Sequence, residues 1–194
     1  MGASVQISSA DTAYTLGSDV DGTVYATLDT GQIYYLNATK PGYFVTLDTL
    51  STLGMLLTEA NPDTTLYDTL VLEKIYTNQE IVLENIYYDL DKDFIRDDAK
   101  PTLNELVDLL KRNPAVRIQL SSHTDCQGTE GYNQDLSQRR AESAVRYLVQ
   151  NGIDNTRLTA KGYGESRLSN TCRCSACTPE EHQENRRTTF LVLE

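Results

Sequence analysis

The spacing of apolar residues changes near Glu80, and this change divides the chain in two. Before it, short runs rich in Val, Ile, Thr and Tyr are separated by turn pairs such as Asp21-Gly22, Thr30-Gly31 and Pro41-Gly42. Runs of this kind, bounded by Gly and Pro, are typical of strands joined by hairpins. We therefore predict an antiparallel β-sandwich module over residues 1–80. Its predicted strands are Ser4-Val5-Gln6-Ile7, Thr23-Val24-Tyr25-Ala26, Gln32-Ile33-Tyr34-Tyr35-Leu36 and Tyr43-Phe44-Val45.

Residues 81–194 show helical periodicity alternating with strand periodicity. From Asp98 apolar residues recur at every third and fourth position, which predicts an amphipathic helix that ends at Asn113-Pro114. A second helix is predicted from about Asn133 to Gln150, and a third begins at Thr178-Pro179-Glu180-Glu181. Strands are predicted at 85–89, 116–120, 157–160 and 188–192. This order of elements predicts an α/β (α+β) sandwich, in which helices pack against one sheet.

The charge distribution supports the same division and excludes some partners. Residues 1–80 carry 2 basic and 10 acidic side chains, whereas residues 81–194 carry 15 and 18. A net charge of −11 disfavours binding to nucleic acid or to an anionic membrane surface. Met1-Gly2 lacks the basic start and apolar core of a secretory signal, so we expect that an export signal is absent from this sequence.

The chain has four cysteines, three of them within six residues. Cys172, Cys174 and Cys177 form a Cys-x-Cys-x-x-Cys cluster, and Cys126 stands alone. The spacing favours disulfides in an oxidising compartment, but it also resembles part of a zinc site that His123 or His182 would complete. Four cysteines allow three pairings, and the sequence does not distinguish them.

Asp125 and Arg140 are the candidate ligand-binding pair. Asp125 follows a predicted strand, a glycine-containing loop comes next, and Arg140 lies in the early turns of the following helix. One group only accepts hydrogen bonds and the other is a bidentate donor, so together they suit a ligand that carries an ammonium and a carboxylate on one carbon. A structural salt bridge between the two residues explains the same pattern, and their chemistry alone leaves both readings open.

Residues 85–192 resemble the OmpA C-terminal-like peptidoglycan-binding family, which includes the peptidoglycan-associated lipoprotein and MotB. The motifs that carry the resemblance occur in the family's order and cover most of the second half of the chain. They are Asn85-Ile86-Tyr87-Tyr88-Asp89-Leu90-Asp91-Lys92, Ser122-His123-Thr124-Asp125 with Arg140-Ala141, Gly162-Tyr163-Gly164-Glu165 and Asn185-Arg186-Arg187.

This resemblance implies a non-covalent site for the diaminopimelate of the peptidoglycan stem peptide. Asp125 would bind the ammonium and Arg140 the adjacent carboxylate. The protein would tether the outer membrane or an envelope assembly to the cell wall from the periplasm, without a cofactor or a bound metal. A disulfide from Cys126 to the cysteine-rich loop would fix the rim of the pocket. The other residues that would shape or border the pocket are Thr124, Asn133, Leu136, Asp91 and Arg187.

The first half of the chain has a resemblance of its own. The segment Asp19-Val20-Asp21-Gly22-Thr23-Val24-Tyr25 and the later Tyr35-Leu36-Asn37-Ala38-Thr39-Lys40-Pro41-Gly42-Tyr43 resemble the carboxypeptidase-regulatory-like, or transthyretin-like, β-sandwich. That family's usual opening strand is missing, so the module is expected to be incomplete. It would act as a spacer.

Two other functions compete with wall binding. In the first, residues 1–80 recruit another envelope protein and the wall contact is secondary. In the second, the chain is an enzyme that uses a Cys126–His123 pair or a catalytic zinc. Residues three apart on a strand face opposite sides, and a set of thiolate ligands is typical of a closed structural zinc site. We therefore expect no enzymatic activity.

Overall fold

In the residues that the structure describes, each half of the chain forms its own four-stranded sheet. The computed structural model describes residues 2–58, 63–83, 86, 93–172 and 174–193. The chain divides into two compact units, residues 1–75 and 76–194.

The first unit contains an antiparallel sheet of order β2-β1-β3-β4. Along β1 and β3 alternate residues are buried, because successive side chains of a strand point to opposite faces. The buried face holds Val5, Ile7, Tyr34, Leu36 and Ala38. The antiparallel sheet predicted for this half of the chain is thus confirmed. Its strands are β1 Ser4–Ser8, β2 Ala13–Gly17, β3 Ile33–Thr39 and β4 Thr46–Ser51.

A turn at Pro41-Gly42 joins β3 to β4. Gly42 has a φ of 79°, a conformation that favours glycine, and the amide of Tyr43 donates to the carbonyl of Lys40 at 3.0 Å. The strand predicted at Thr23-Val24-Tyr25-Ala26 does not form. Instead, Val24 and other apolar residues of irregular segments, Leu28, Leu70 and Leu72, pack against the buried face of the sheet. The described residues of this unit contain one sheet, and the transthyretin-like sandwich stays a prediction.

The second unit is the mixed α/β structure that the sequence predicts. Its sheet has the order β5-β8-β6-β7, with β6 parallel to β7 and antiparallel to β8. Helix α2 connects β6 to β7, so these three elements form a βαβ unit. The elements are β5 Ile81–Leu83, α1 Lys100–Arg112, β6 Ile118–Ser122, α2 Glu130–Gln150, β7 Leu158–Gly162, α3 Pro179–Asn185 and β8 Thr188–Val192.

The core of the second unit is formed by the apolar faces of its helices and its central strand. The buried positions of α1 lie three and four residues apart, as expected for one face of a helix. Burying each such side chain stabilises the fold by roughly 1.5–3 kcal/mol. The fully or nearly fully buried residues are Leu103, Leu106, Val107 and Leu110 of α1, Leu136, Ala141, Ala144 and Leu148 of α2, and Ile118 and Leu120 of β6.

Part of the predicted structure lies outside the described residues. This applies to the strand expected at 85–89, of which the structure describes only the buried Ile86, and to Asp91. Among the helices of the described residues, none has the length and apolar character that a membrane-spanning helix requires.

Candidate functional site

Asp125 lies just beyond the C-terminal end of the central strand β6. The chain there is held on both sides by backbone hydrogen bonds. His123 donates to the carbonyl of Arg187, and Thr124 donates to that of Gly164, each at 2.9 Å. Asp125 therefore lies between the segment that follows β7 and the segment that precedes β8. Asp125 as a whole is only 5% exposed.

The carboxylate of Asp125 has a hydrogen-bond donor or a cationic group at each oxygen. The amide of Gln127 donates to Oδ1 at 3.0 Å, and Nη1 of Arg186 donates to Oδ2 at 2.5 Å. Nδ1 of His182 lies 3.4 Å from the same Oδ2. A buried charge is expensive unless it is paired and hydrogen-bonded, and these groups meet that requirement. Asp125 is thus built into the fold as an acceptor for cations.

The first turns of α2 form the adjoining wall of the site. Thr129 caps the helix by accepting from the amide of Tyr132, which starts α2 three residues earlier than the sequence predicts. Nδ2 of Asn133 donates to the backbone oxygen of Asp125 at 3.3 Å and to Oε2 of Glu165 at 2.5 Å. Asn133 therefore connects the helix, the Asp125 loop and the segment after β7.

Two glycines allow that segment to lie directly on α2. A Cβ at Gly162 would overlap the backbone nitrogen of Gln138. Gly164 has a φ of 50°, and its amide donates to Oγ of Ser137 at 2.8 Å. The glycines of the Gly162-Tyr163-Gly164 motif are therefore required for close backbone approach at the edge of the site.

Arg140 is buried on the same face of α2 as Asn133. The two residues are seven positions apart, which is two helical turns, and Arg140 is 5% exposed. Within the described part of the chain, the ion pairs of Asp125 are with Arg186 and His182 and do not include Arg140. The structural salt bridge between Asp125 and Arg140 is therefore not the arrangement found.

Arg186 and Arg187 point to different places. The sequence analysis assigns Arg187 to the border of the pocket, but it is Arg186 that contacts Asp125. Nη2 of Arg187 instead donates to the carbonyl of Arg167 at 3.0 Å. Burial lowers the pKa of Arg187 below its usual value, while the carboxylate of Glu80 opposes this effect. The sequence does not show which arginine contacts Asp125, because adjacent residues of an extended chain face opposite sides.

A second buried polar group lies near Arg187. His123 is 1% exposed, and its ring stacks on that of Tyr163 with centroids 5.3 Å apart. Burial and, to a smaller extent, the positive charges of Arg187 and Arg167 lower the pKa of His123 to about 3. Within the part of the chain that the structure describes, both ring nitrogens lack a hydrogen-bond partner, and the carboxylate of Glu80 lies 3.9 Å from Nε2. His123 is thus neutral near pH 7 and has the buried position that suits a structural strand residue.

All four cysteines form disulfides, as the sequence analysis favours. Cys126 is bonded to Cys174, and Cys172 is bonded to Cys177. The first bond joins the residue after Asp125 to the cysteine-rich loop, as the family resemblance implies. Sulfurs in disulfides are neither thiolate zinc ligands nor thiol nucleophiles. The oxidised chain therefore lacks the groups that the zinc and thiol alternatives require.

The residues predicted to bind a ligand are largely brought together. Thr124 is 3% exposed, and Leu136 is 5% exposed on the helix face that carries Asn133 and Arg140. Glu165, the last residue of the Gly162-Tyr163-Gly164-Glu165 motif, accepts a hydrogen bond from Asn133 and so lies beside these residues. Asp91 lies outside the described residues. The ligand-binding role of the whole set stays a prediction.

Taken together, the fold and the site define an α/β domain with a buried Asp at the end of its central strand and a buried Arg on the helix that follows. Residues 87–186 match the OmpA family, and the chain belongs to that family.

Individual proteins show the same relationship. The chain is 35% identical over 94 residues to the peptidoglycan-associated lipoprotein of Brucella melitensis, an alignment that covers 48% of this chain and 56% of that protein. It is 39% identical over 83 residues to outer membrane porin F of Pseudomonas fluorescens. This alignment covers 43% of this chain and 26% of the porin. The chain thus spans only part of the length of these relatives.

A solved structure shares the fold of the second unit. The peptidoglycan-associated lipoprotein of Burkholderia pseudomallei matches with a TM-score of 0.50 and 26% identity, over 55% of this chain and 87% of that one. The predicted OmpA C-terminal-like fold is thereby confirmed.

Proposed function

We propose that the chain binds peptidoglycan non-covalently and tethers an envelope assembly or the outer membrane to the cell wall. The observation that carries the proposal is the buried Asp125 next to the first turns of α2, the helix that carries the buried Arg140, in a domain of the OmpA family. The names of its relatives, which include peptidoglycan-associated lipoproteins and an outer membrane porin, agree with this function. In this proposal the chain acts in the periplasm, residues 81–194 bind the wall and residues 1–80 act as a spacer.

The proposed ligand group is the distal amino-acid centre of diaminopimelate. Asp125 accepts hydrogen bonds from its ammonium, and Arg140 donates two to its carboxylate. Side chains on a helix lean toward its N-terminus, so the guanidinium of Arg140 extends back toward Asn133 and the Asp125 end of α2. Thr124, Asn133 and Leu136 shape the pocket, while Asp91 and Arg187 are proposed only as border residues.

The contacts of Asp125 with described residues leave an acceptor position for an incoming ammonium. An ionised carboxylate offers about four acceptor positions. Gln127 occupies one on Oδ1, and Arg186 and His182 both approach Oδ2. A further donor can therefore bind at Oδ1 without displacing Arg186. Binding through so few charge-assisted hydrogen bonds is reversible, and its affinity is modest.

Co-sedimentation with purified sacculi tests the proposal, because Asp125→Ala and Arg140→Ala each remove one half of the recognition. We expect each variant to lower the affinity for sacculi by roughly 10- to 100-fold, the effect of losing a hydrogen bond to a charged group. The matched controls are Asp135→Ala and Arg139→Ala, which alter an exposed ion pair on the same helix. Thermal melts establish that all four variants fold. If the folded site variants sediment like the wild type, the proposed site is wrong.

The choice of peptide identifies the ligand group. Stem peptides with diaminopimelate or with lysine differ in the carboxylate that Arg140 is proposed to bind. The wild type should prefer the diaminopimelate peptide by roughly 10- to 100-fold in a calorimetric titration, and Arg140→Ala should lose this preference. Equal affinity of the wild type for both peptides would contradict the assignment of diaminopimelate.

A further inference from the structure

The two segments that contact the Asp125 carboxylate are covalently joined. One is the loop after β6, where Cys126 and Gln127 follow Asp125 directly. The other is α3, which carries His182 and precedes Arg186. The Cys126–Cys174 disulfide connects the loop to the segment before α3, 48 residues further along the chain.

A ring of contacts closes around Asp125 next to this disulfide. The amide of Gln127 donates to Oδ1, and its side-chain Nε2 donates to Nε2 of His182 at 3.4 Å. Nδ1 of His182 in turn lies 3.4 Å from Oδ2. His182 is 6% exposed, so it is a fixed part of the site. Gln127 and His182 therefore position the carboxylate, and the disulfide limits the separation of the segments that carry them.

The opposite end of α3 is anchored without cysteines. Asn185 is fully buried, and its Oδ1 accepts from the amide of Ser169 at 2.7 Å. Its Nδ2 donates to the side chain of Asn170 at 3.0 Å. The N-terminal end of α3 has a capping box made by Thr178 and Glu181, which is local to the helix. The Cys126–Cys174 bond covalently joins the Asp125 loop to the segment that leads into the N-terminal end of α3.

We propose that the Cys126–Cys174 disulfide sets the ligand affinity of the Asp125 site, so that wall binding is redox-dependent. The inference rests on the proposed function. A dithiol reductant transfers two electrons and two protons to the bond, which yields the Cys126 and Cys174 thiols and a cyclic disulfide of the reductant. The loop and the start of α3 then lose their covalent link, and more of the cost of ordering Gln127 and His182 falls on ligand binding. The anchor at Asn185 keeps the fold in place.

The test compares the two disulfides of the same loop. Cys126→Ser with Cys174→Ser removes the proposed control bond, and Cys172→Ser with Cys177→Ser is the matched control that leaves it intact. The full chain is titrated calorimetrically with a diaminopimelate stem peptide, with and without a dithiol. A metal chelator is present, because ligand atoms of Cys126, Cys177 and His182 lie within 4.8 Å of one another and would suit a metal ion once reduced.

We expect the Cys126→Ser, Cys174→Ser pair to bind about tenfold more weakly than the oxidised wild type, and the control pair to differ by less than about threefold. The dithiol should weaken the wild type to the level of the first pair and leave that pair unchanged. Hydrogen exchange without ligand should show faster exchange at the Gln127 amide in the first pair only.

The outcomes separate the inference from the function on which it rests. If the oxidised wild type fails to bind peptide and sacculi, the proposed function is wrong and the inference falls with it. If the wild type binds but the folded Cys126→Ser, Cys174→Ser pair binds equally well, only the redox control is overturned. Equal weakening by both serine pairs would also overturn it, because the effect would not belong to this bond.

Discussion

Asp125 and His123 are two residues apart and both are buried, yet their surroundings are opposite in kind. The carboxylate of Asp125 is approached by Gln127, Arg186 and His182. Among the described residues, His123 has no hydrogen-bond partner at either ring nitrogen, the Glu80 carboxylate lies 3.9 Å from Nε2, and burial lowers the pKa of the ring. The difference shows how to recognise a site within a buried polar segment. The carboxylate of Asp125 is surrounded by hydrogen-bond donors, as a ligand-binding acceptor requires, whereas the buried ring of His123 suits packing.

Loss of the disulfide beside Asp125 should give the largest decrease in the free energy of unfolding. Within the described residues, His123 has no comparable covalent link beside it. In the chain-entropy estimate, a bond that closes a loop of 48 residues stabilises the fold by about 4 kcal/mol, and one that closes 5 residues by about 2 kcal/mol. Chemical denaturation should therefore show a larger loss for Cys126→Ser with Cys174→Ser than for Cys172→Ser with Cys177→Ser. Equal losses would mean that the longer loop is already constrained in the unfolded chain.

Substitutions of Asp125 and of His123 should lower the free energy of unfolding by different amounts. Asp125→Ala leaves the Gln127 amide and Arg186 without their acceptor and should lower the free energy of unfolding by about 2 kcal/mol. His123→Phe removes two unpartnered nitrogens, keeps the contact with Tyr163 and should change it by less than about 1 kcal/mol. His123→Ala serves as the control for burial and should cost roughly 2–4 kcal/mol through the cavity it leaves. A large loss for His123→Phe would reveal a missing partner for the ring.

A further expected difference between the two residues lies in the pH dependence of stability. The pKa of His123 is about 3 in the fold and near 6.5 in the unfolded chain, so the unfolded state binds more protons between these values. The stability linked to His123 is complete above about pH 6.5 and is lost as the pH falls toward about 3. Melting temperatures of the wild type and His123→Phe should therefore diverge from about pH 7 to about pH 4, in favour of the variant. Parallel curves would contradict the low pKa.

Some features could be predicted from the sequence because their causes are local. The third helix is an example, since Thr178 and Glu181 cap one another within a single turn. The position of Asp125 is another, because the apolar alternation of β6 ends just before it. These predictions needed only the period of the strand and the chemistry of the cap.

Other features depend on contacts between distant segments, which the sequence alone does not specify. Whether Arg186 or Arg187 contacts Asp125 follows from the register that pairs Ser122 with Thr188, and a slip of one residue would exchange the two arginines. The segment at Thr23-Val24-Tyr25-Ala26 has the composition of a strand but packs on the sheet face without joining it. The cysteine pairing likewise required the positions of distant segments.

The place of β5 in the sheet determines how the second unit would respond to tension. Among the described residues, β5 is a three-residue strand at the edge of the sheet that pairs with β8, whereas β6 lies between β8 and β7. A pull on the N-terminal side of this unit reaches first the contacts of Thr77 and Asn78 with Val192 of β8, and then β5. The strand that leads to Asp125, β6, is third from that edge of the sheet, behind β8. If the chain is loaded as a tether, the edge of the sheet would therefore yield before the strand that leads to the proposed site.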